Sequence, residues 1–328
     1  MKSKHINHIG VFTSGGDSPG MNACLRAVVR TAVFHEIKIT GILRGFQGMI
    51  ENDFVPLSAR SVSNIIHRGG TILKTARSND FMEKAGREKA FINLKNAGID
   101  SLIAIGGDGT FRGASTFCDE FNIRAMGIPG TIDNDLQGTD FTLGFDTAVN
   151  TAVEAIDKIR DTAASHDRLF FIEVMGRDAG HIALWAGISG GAEAILLPEE
   201  KTDVDQLIAL LNKGAKNQKS SSIVIVCEGD DAGGALQIAE KVSAKAPGFD
   251  TRVTVLGHVQ RGGSPGVFDR MLGSRFGVAA TEALIQGRKG EMTGIKNNKI
   301  VFTDFKIATK TQQPMDPELL RYAKMLAI

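Results

Sequence analysis

One Trp and one Tyr in 328 residues leave little aromatic surface for stacking. Cysteine is equally sparse. Cys24, Cys118 and Cys227 are odd in number, far apart and in no C-x-x-C spacing, so neither a disulfide framework nor a zinc site is indicated and a reducing compartment is expected. Charge of either sign is lacking in excess: the formal net charge of +1 argues against a general nucleic-acid or membrane-surface partner. Long apolar runs are missing too. The most apolar segment, Ala179 to Pro198, is broken by His181, Gly190-Gly191 and Glu193, and reads as a buried helix followed by a buried strand rather than a membrane span. The start of the chain, with Lys2, Lys4, His5, Asn7 and His8, offers no continuous apolar core for a signal peptide, and a cytoplasmic location is expected.

What is abundant is glycine, with 38 residues, in a chain that is 42% apolar and 23% charged. That composition suits one large or two ordinary α/β cores with many tight strand-to-helix turns. The pattern along the chain agrees. Strands are expected at His8 to Ser14, Lys38 to Leu43, Ser101 to Ile105, Ile123 to Ile128, Leu169 to Val174, Glu193 to Leu197, Ser222 to Cys227 and Thr251 to Leu256. Helices are expected from Met21, around Ser61 to Ile66, and from Glu83 to Asn96, Phe111 onward, Asp146 to Arg160, Ile182 to Ile188 and Asp203 to Lys213.

Three strands end in loops that suit phosphate chemistry. Pro129-Gly130 turns the chain out of the apolar run Ile123 to Ile128 into Thr131-Ile132-Asp133-Asn134-Asp135. Two carboxylates two residues apart at a strand's carboxyl end, where open α/β sheets bind ligands, are costly unless something polar or cationic occupies the site. Phosphoryl transfer uses such a set, one carboxylate accepting a hydroxyl proton beside polar positioning groups and a metal. A solvated turn is the plainer reading, since Asp and Asn are ordinary turn residues. Ser14-Gly15-Gly16-Asp17-Ser18-Pro19-Gly20 precedes a helix, so that glycine N–H groups and the helix N-terminus can face an anion; it lacks the Walker lysine and the G-x-G-x-x-G pattern. Gly106-Gly107-Asp108-Gly109-Thr110 sets an aspartate able to hold Mg²⁺ among glycines that admit a di- or triphosphate. The three loops are expected to meet at one edge of one sheet.

In the second half, Arg168, Arg177, Arg252, His258 and Arg261 all fall at strand ends or in loops. Arginine forks match phosphate, so a sugar phosphate carrying two charges fits such a cluster. Each arginine making its own surface ion pair is the alternative. Arg26 and Arg30, four apart, share one helix face, which read alone is a solvated basic stripe.

Thr13 to Asn22, Gly106 to Thr110, Pro129 to Asp135, Glu173 to Arg177 and Gly257 to Pro265 (G-H-V-Q-R-G-G-S-P) together resemble the ATP-dependent bacterial 6-phosphofructokinases, in the same order and spacing across nearly the whole chain. The resemblance implies transfer of the ATP γ-phosphoryl group to the 1-hydroxyl of fructose 6-phosphate. It implies Asp133 as base with Thr131 and Asp135 beside it, and Arg177 stabilising the transferred group. Gly16, Arg77, Ser78, Gly107, Asp108, Gly109 and Thr110 are then expected to hold ATP, and Asp108 the Mg²⁺. Thr131, Asp133, Met175, Gly176, Arg177, Glu228, His258 and Arg261 would bind the sugar phosphate, with Arg168 and Arg252 reaching it from a neighbouring copy of a homotetramer. The implied fold is α/β, two Rossmann-like three-layer domains with mostly parallel sheets. The ATP domain is expected at 1–138 completed by 252–305, and the fructose 6-phosphate domain at 139–251 completed by 306–328, including a helix near Pro317 to Leu326.

The same resemblance implies an effector site for ADP or phosphoenolpyruvate built from Arg26, Arg30, Arg160, Gly191, Glu193 and Lys219. Here Asn217 and Ala59 replace a lysine and an arginine of the family pattern, with Arg60 one residue on. Each lost cation is expected to weaken an anionic effector by about 1 kcal/mol or more. Pyrophosphate-using relatives carry an aspartate at the position of Gly109 and a lysine at that of Gly130, so ATP is the expected donor, and Phe46 is a candidate neighbour of the adenine. Two other classes share features with this chain. Lipid and NAD kinases also use G-G-D-G-T but need neither the G-H-V-Q-R-G-G loop nor the M-G-R turn; a non-catalytic sensor is expected to have lost the carboxylate at 133.

Overall fold

A computed structural model describes residues 6–165, 168–216 and 222–327. The chain divides into two compact units, one of residues 1–132, 136–146 and 261–313, the other of residues 133–135, 147–260 and 314–328.

The first unit holds β1 (His8–Thr13), α1 (Met21–Phe34), β2 (Lys38–Ile42), α2 (Gly45–Glu51), β3 (Phe54–Pro56), α3 (Lys84–Asn96), β4 (Ser101–Gly106), α4 (Asp108–Phe121) and β5 (Arg124–Pro129). The long helix α5 (Phe145–Ala164) begins at its edge. Its sheet runs β11-β10-β5-β4-β1-β2-β3, with β10 (Glu291–Lys296) and β11 (Lys299–Asp304) formed late in the chain. Every pairing is parallel except β2 with β3 and β10 with β11.

Side chains alternate across this sheet as strand geometry requires. Val11, Ile103, Ile105 and Ile128 pack against Met21, Leu25 and Val28 of α1 and Leu272, Phe276 and Ala280 of α9 (Val267–Ile285). Phe12, Leu102, Ala104 and Ala125 face the other way, onto Met49, Leu94, Phe111 and Phe117 from α2, α3 and α4. One short helix, α10 (Phe305–Ala308), closes that second layer, with Phe305 stacked on Phe111 at 5.3 Å. Only glycine fits beneath this stack, because a Cβ at Gly127 would lie 2.5 Å from Phe305 and 2.6 Å from Phe111. Burying one such ring stabilises the fold by about 2–3 kcal/mol.

The second unit has β6 (Leu169–Val174), α6 (His181–Ser189), β7 (Ala194–Leu196), α7 (Val204–Lys216), β8 (Ser222–Cys227), α8 (Ala235–Lys245), β9 (Thr251–Val255) and α11 (Pro317–Leu326). Its four strands are all parallel, in the order β7-β8-β6-β9. Phe171, Val224 and Val226 pack on Leu207, Leu211, Ile238 and Val242 of α7 and α8.

Both sheets have a point where the strand order reverses, and the carboxyl ends beside such a point are where open α/β sheets take ligands. In the first unit β1 has β4 on one side and β2 on the other. In the second, β6 lies between β8 and β9.

The segment from Ser61 to Ile66 is turn rather than helix. The Ser58 and Ser61 hydroxyls bond to each other's backbone N–H at 3.4 and 3.1 Å, and Asn64 is left-handed at φ 56°. Hydroxyls that satisfy the backbone locally compete with helix bonds. Among the described residues no helix is long and apolar enough to cross a membrane.

Candidate active site

In the first unit the loops after β1, β4 and β5 are laced together. Ser14 N donates to Ile105 O at 3.0 Å and Gly130 N to Gly106 O at 3.0 Å. A Cβ at Gly107 would sit 3.5 Å from that of Thr131, and one at Gly15 3.6 Å from Thr110 Oγ1. Gly16, Gly107, Asp108, Gly109, Thr110 and Thr131 are thus brought to one edge.

That edge has features that suit an anion. Neither α1 nor α4 has a side chain capping its N-terminus, where Gly20 and Gly107 stand. Amide groups of a first turn carry partial positive charge and take phosphate readily. Ser18 Oγ and Thr110 Oγ1 are buried with no hydrogen-bond partner among the described residues, an arrangement that a polar ligand would relieve. Nothing lies within 4 Å of the place a Gly109 Cβ would occupy. The Arg261 guanidinium lies against this loop, its Nη1 donating to Asp17 O at 3.3 Å, and a Cβ at Gly16 would come within 2.6 Å of it. Glycine at 16 is what lets that cation reach the backbone.

Asp108 is half-exposed in the first turn of α4, its Oδ2 2.9 Å from Arg112 Nε. Among the described residues no cluster of three His, Cys, Asp or Glu forms a metal cage. One carboxylate beside phosphates is nonetheless the usual way to hold Mg²⁺, which keeps several waters. Arg77 is exposed, and Ser78 Oγ donates to Gln47 Oε1 at 2.7 Å. Phe46 packs in the core, stacked on Phe81 with ring centroids 4.0 Å apart and 5.0 Å from Phe12.

In the second unit Asp133 is 3% exposed, with Arg177 Nε 3.7 Å from its Oδ2. A cation at that range offsets part of the cost of burying a carboxylate. Arg177 is left-handed at φ 53° and follows Gly176 at φ 146°, conformations that surrounding structure must impose. Three bonds impose them. Glu228 Oε1 accepts from Gly176 N at 3.3 Å and Arg177 N at 2.9 Å, and Gln260 Oε1 accepts from Met175 N at 2.9 Å. Cys227 Sγ, 3.5 Å from Arg177 O, closes the turn from below, and burial pushes its thiol up to about 12. His258 is exposed in the single turn Gly257–Arg261.

Arg168 and Arg252 stand elsewhere. Both bind Asp250, at 3.1 and 2.5 Å, at the amino ends of β6 and β9, a strand's length of roughly 20 Å from the Arg177 edge. Of the expected effector residues, Arg26 and Arg30 line a cavity of about 300 Å³ with Phe34, His35 and Glu282 in the first unit. In the second unit the Arg160 guanidinium is held by the carbonyls of Gly190 and Gly191, and the Glu193 carboxylate accepts from Ile223 N. Lys219 and Asn217 lie outside the described residues.

Gln260 and Asp250 are the residues that the sequence did not single out. Gln260 sits inside a glycine-bracketed loop between His258 and Arg261, which is a usable signal. Asp250 has none: one acidic residue before a strand is ordinary.

Comparison with known proteins agrees with this geometry. The chain is similar to ATP-dependent 6-phosphofructokinase 1 of Thermus thermophilus, 54% identical over 98% of this chain and all of that one. It is 50% identical to ATP-dependent 6-phosphofructokinase 2 of Bacteroides thetaiotaomicron over 98% of this chain and 99% of that one. The solved phosphofructokinase of Saccharomyces cerevisiae superposes with a TM-score of 0.86 at 33% identity, covering 98% of this chain, which spans 46% of the yeast chain. The phosphofructokinase family pattern matches residues 8–284. With the glycine loops at one strand-order reversal and the Arg177 turn at the other, the chain belongs to the phosphofructokinase family.

Proposed function

We propose that this chain is an ATP-dependent 6-phosphofructokinase that moves the γ-phosphoryl group of ATP to the 1-hydroxyl of fructose 6-phosphate, with Asp133 as the base. The observation that carries this reading is the buried Asp133 carboxylate with the Arg177 guanidinium 3.7 Å away, in a chain half identical to curated ATP-dependent 6-phosphofructokinases. Asp133 accepts the proton of the 1-hydroxyl as its oxygen bonds to the γ-phosphorus. The bond from that phosphorus to the β,γ-bridging oxygen breaks, and ADP leaves. Arg177 balances charge on the moving group, in a loose transition state where positioning and electrostatics do most of the catalysis. Thr131 and Asp135 flank the base. Gly16, Arg77, Ser78 and Gly107 to Thr110 hold the nucleotide, supported by the uncapped α4 N-terminus and the unmatched Thr110 hydroxyl. Asp108 would hold Mg²⁺, which neutralises charge on the β- and γ-phosphates when bound. Met175, Gly176, Glu228, His258 and Arg261 take the sugar phosphate.

Arg168 and Arg252 fit a sugar phosphate bound by another copy, because within their own chain they face the opposite end of the β-sheet from Arg177. Val267, Met271 and Val278 form an exposed apolar row on α9, and Phe34 is exposed on α1 beside it, surface that a homotetramer would cover. A cytoplasmic location suits a glycolytic enzyme. The test is stoichiometric: with fructose 6-phosphate, ATP and Mg²⁺, the protein should form ADP and fructose 1,6-bisphosphate one for one. ADP release without the bisphosphate would sink the reading.

Regulation follows from the same residues. Arg160 is already held by two carbonyls, and the family's cations are missing at Ala59 and Asn217, so an anionic effector such as ADP or phosphoenolpyruvate gains less here. Half-maximal responses in the upper micromolar to millimolar range are expected in steady-state titrations. Strong activation or inhibition at low micromolar effector would contradict this.

A further inference from the structure

The turn Met175-Gly176-Arg177 sets three successive backbone N–H groups at a strand end, a place where such groups commonly bind an anion. Here all three are already taken: Glu228 holds two and Gln260 the first. The turn is therefore a clamped mount for the Arg177 side chain, which is 65% exposed and directed to Asp133.

Gln260 is the less expected half of that clamp. It is 0% exposed, and its amide orientation is fixed because Met175 N–H can only donate, which requires Oε1 to face it. Its Nε2 is left buried with no partner among the described residues. A buried, unmatched amide donor is a cost to folding, and an apolar side chain would avoid it. The glutamine is explained by what its other end does. It spans the strand-order reversal of the second unit, joining the end of β6 to the loop after β9 that carries His258. We infer that Gln260 is a positioning residue for phosphoryl transfer: it fixes the left-handed pose of Arg177 through Met175 N–H and ties that pose to the His258 loop. This rests on the proposed role of Arg177.

The experiment is a double-mutant cycle on the full chain with Gln260→Met and Arg177→Met, reading kcat, both KM values and Tm. Arg177→Met alone should lower kcat by about two orders of magnitude. Gln260→Met should lower kcat about tenfold or more and raise the KM for fructose 6-phosphate, since a small misplacement of a catalytic group is expensive, while the KM for ATP stays within about twofold. The double variant should have the kcat of Arg177→Met, because a residue acting only through Arg177 has nothing left to position. Additive losses, or equal changes in both KM values, would overturn the inference. A kcat unaffected by Arg177→Met would instead overturn the role of Arg177 itself. Should Gln260→Met fail to fold, Gln260→Asn, one methylene short of Met175 N–H, runs through the same cycle with the same criteria.

Discussion

Asp133→Ser is expected to lower kcat by about two to four orders of magnitude, the usual loss when a general base is removed. The KM for fructose 6-phosphate should change far less, because Arg177, His258 and Glu228 are untouched. Fold stability should hold or rise, since the substitution removes a carboxylate that is 3% exposed and exchanges it for a smaller, neutral hydroxyl. A neutral isostere separates two roles of that carboxylate. If Asp133 mainly anchored Arg177, then Asp133→Asn, which keeps shape and hydrogen-bonding oxygen, would restore turnover; as a base it cannot, and Asp133→Asn should be as slow as Asp133→Ser. A folded Asp133→Ser variant that kept more than about a tenth of the parent kcat would remove Asp133 from that role.

Gly109→Asp carries the second large effect. Residue 109 is in the first turn of α4, where nothing lies within 4 Å of the added Cβ and an acidic side chain suits the helix end. The variant should therefore fold with an unchanged Tm. A second carboxylate beside Asp108 repels the phosphates that this helix end would receive, and like charges brought together cost several kcal/mol. The kcat/KM for ATP should fall by about two to three orders of magnitude, at about 1.4 kcal/mol per tenfold. The KM for fructose 6-phosphate should stay within about threefold. An ATP kcat/KM above about a third of the parent's would mean that the nucleotide does not approach Gly109.

Gly130 behaves differently from Gly109. A Cβ there would lie 2.9 Å from Met21 Cε and 3.1 Å from Ile105 Cγ2, both fully buried. A lysine at 130 would have to displace Met21 before its charge reached any ligand. The family resemblance makes both glycines expected marks of donor choice; the packing gives Gly130 a second reason to be glycine. Position alone could not have told them apart.

The central strands were legible because apolar runs ending in glycine are what buried parallel strands look like, and the turns after β1, β4, β5 and β6 carried the site residues with them. Elements lacking such signals were not. The short helix α2 is bracketed by Arg44 and Asn52, both left-handed at φ 57° and 62°, with no Ser, Thr or Asp cap ahead of it. The hairpin of β10 and β11 turns on Asn297-Asn298, both at positive φ, a usable hairpin signal hidden among lysines. At the site itself, the residue types proposed to take phosphate stand in loops that the sequence marks with glycine. The clamp that holds Arg177 was not legible, because it is a contact between residues 85 positions apart. For the same reason the pairing of Arg168 with Asp250, 82 positions away, emerged only from the register of β6 with β9.

The most direct test is one coupled assay of the unmodified protein with fructose 6-phosphate and Mg²⁺, run side by side with ATP and with pyrophosphate. The open space over Gly109 and the absence of a lysine at position 130 predict rapid formation of fructose 1,6-bisphosphate with ATP and a far lower kcat/KM with pyrophosphate. Turnover with pyrophosphate at a kcat/KM equal to or above that of ATP would contradict the account.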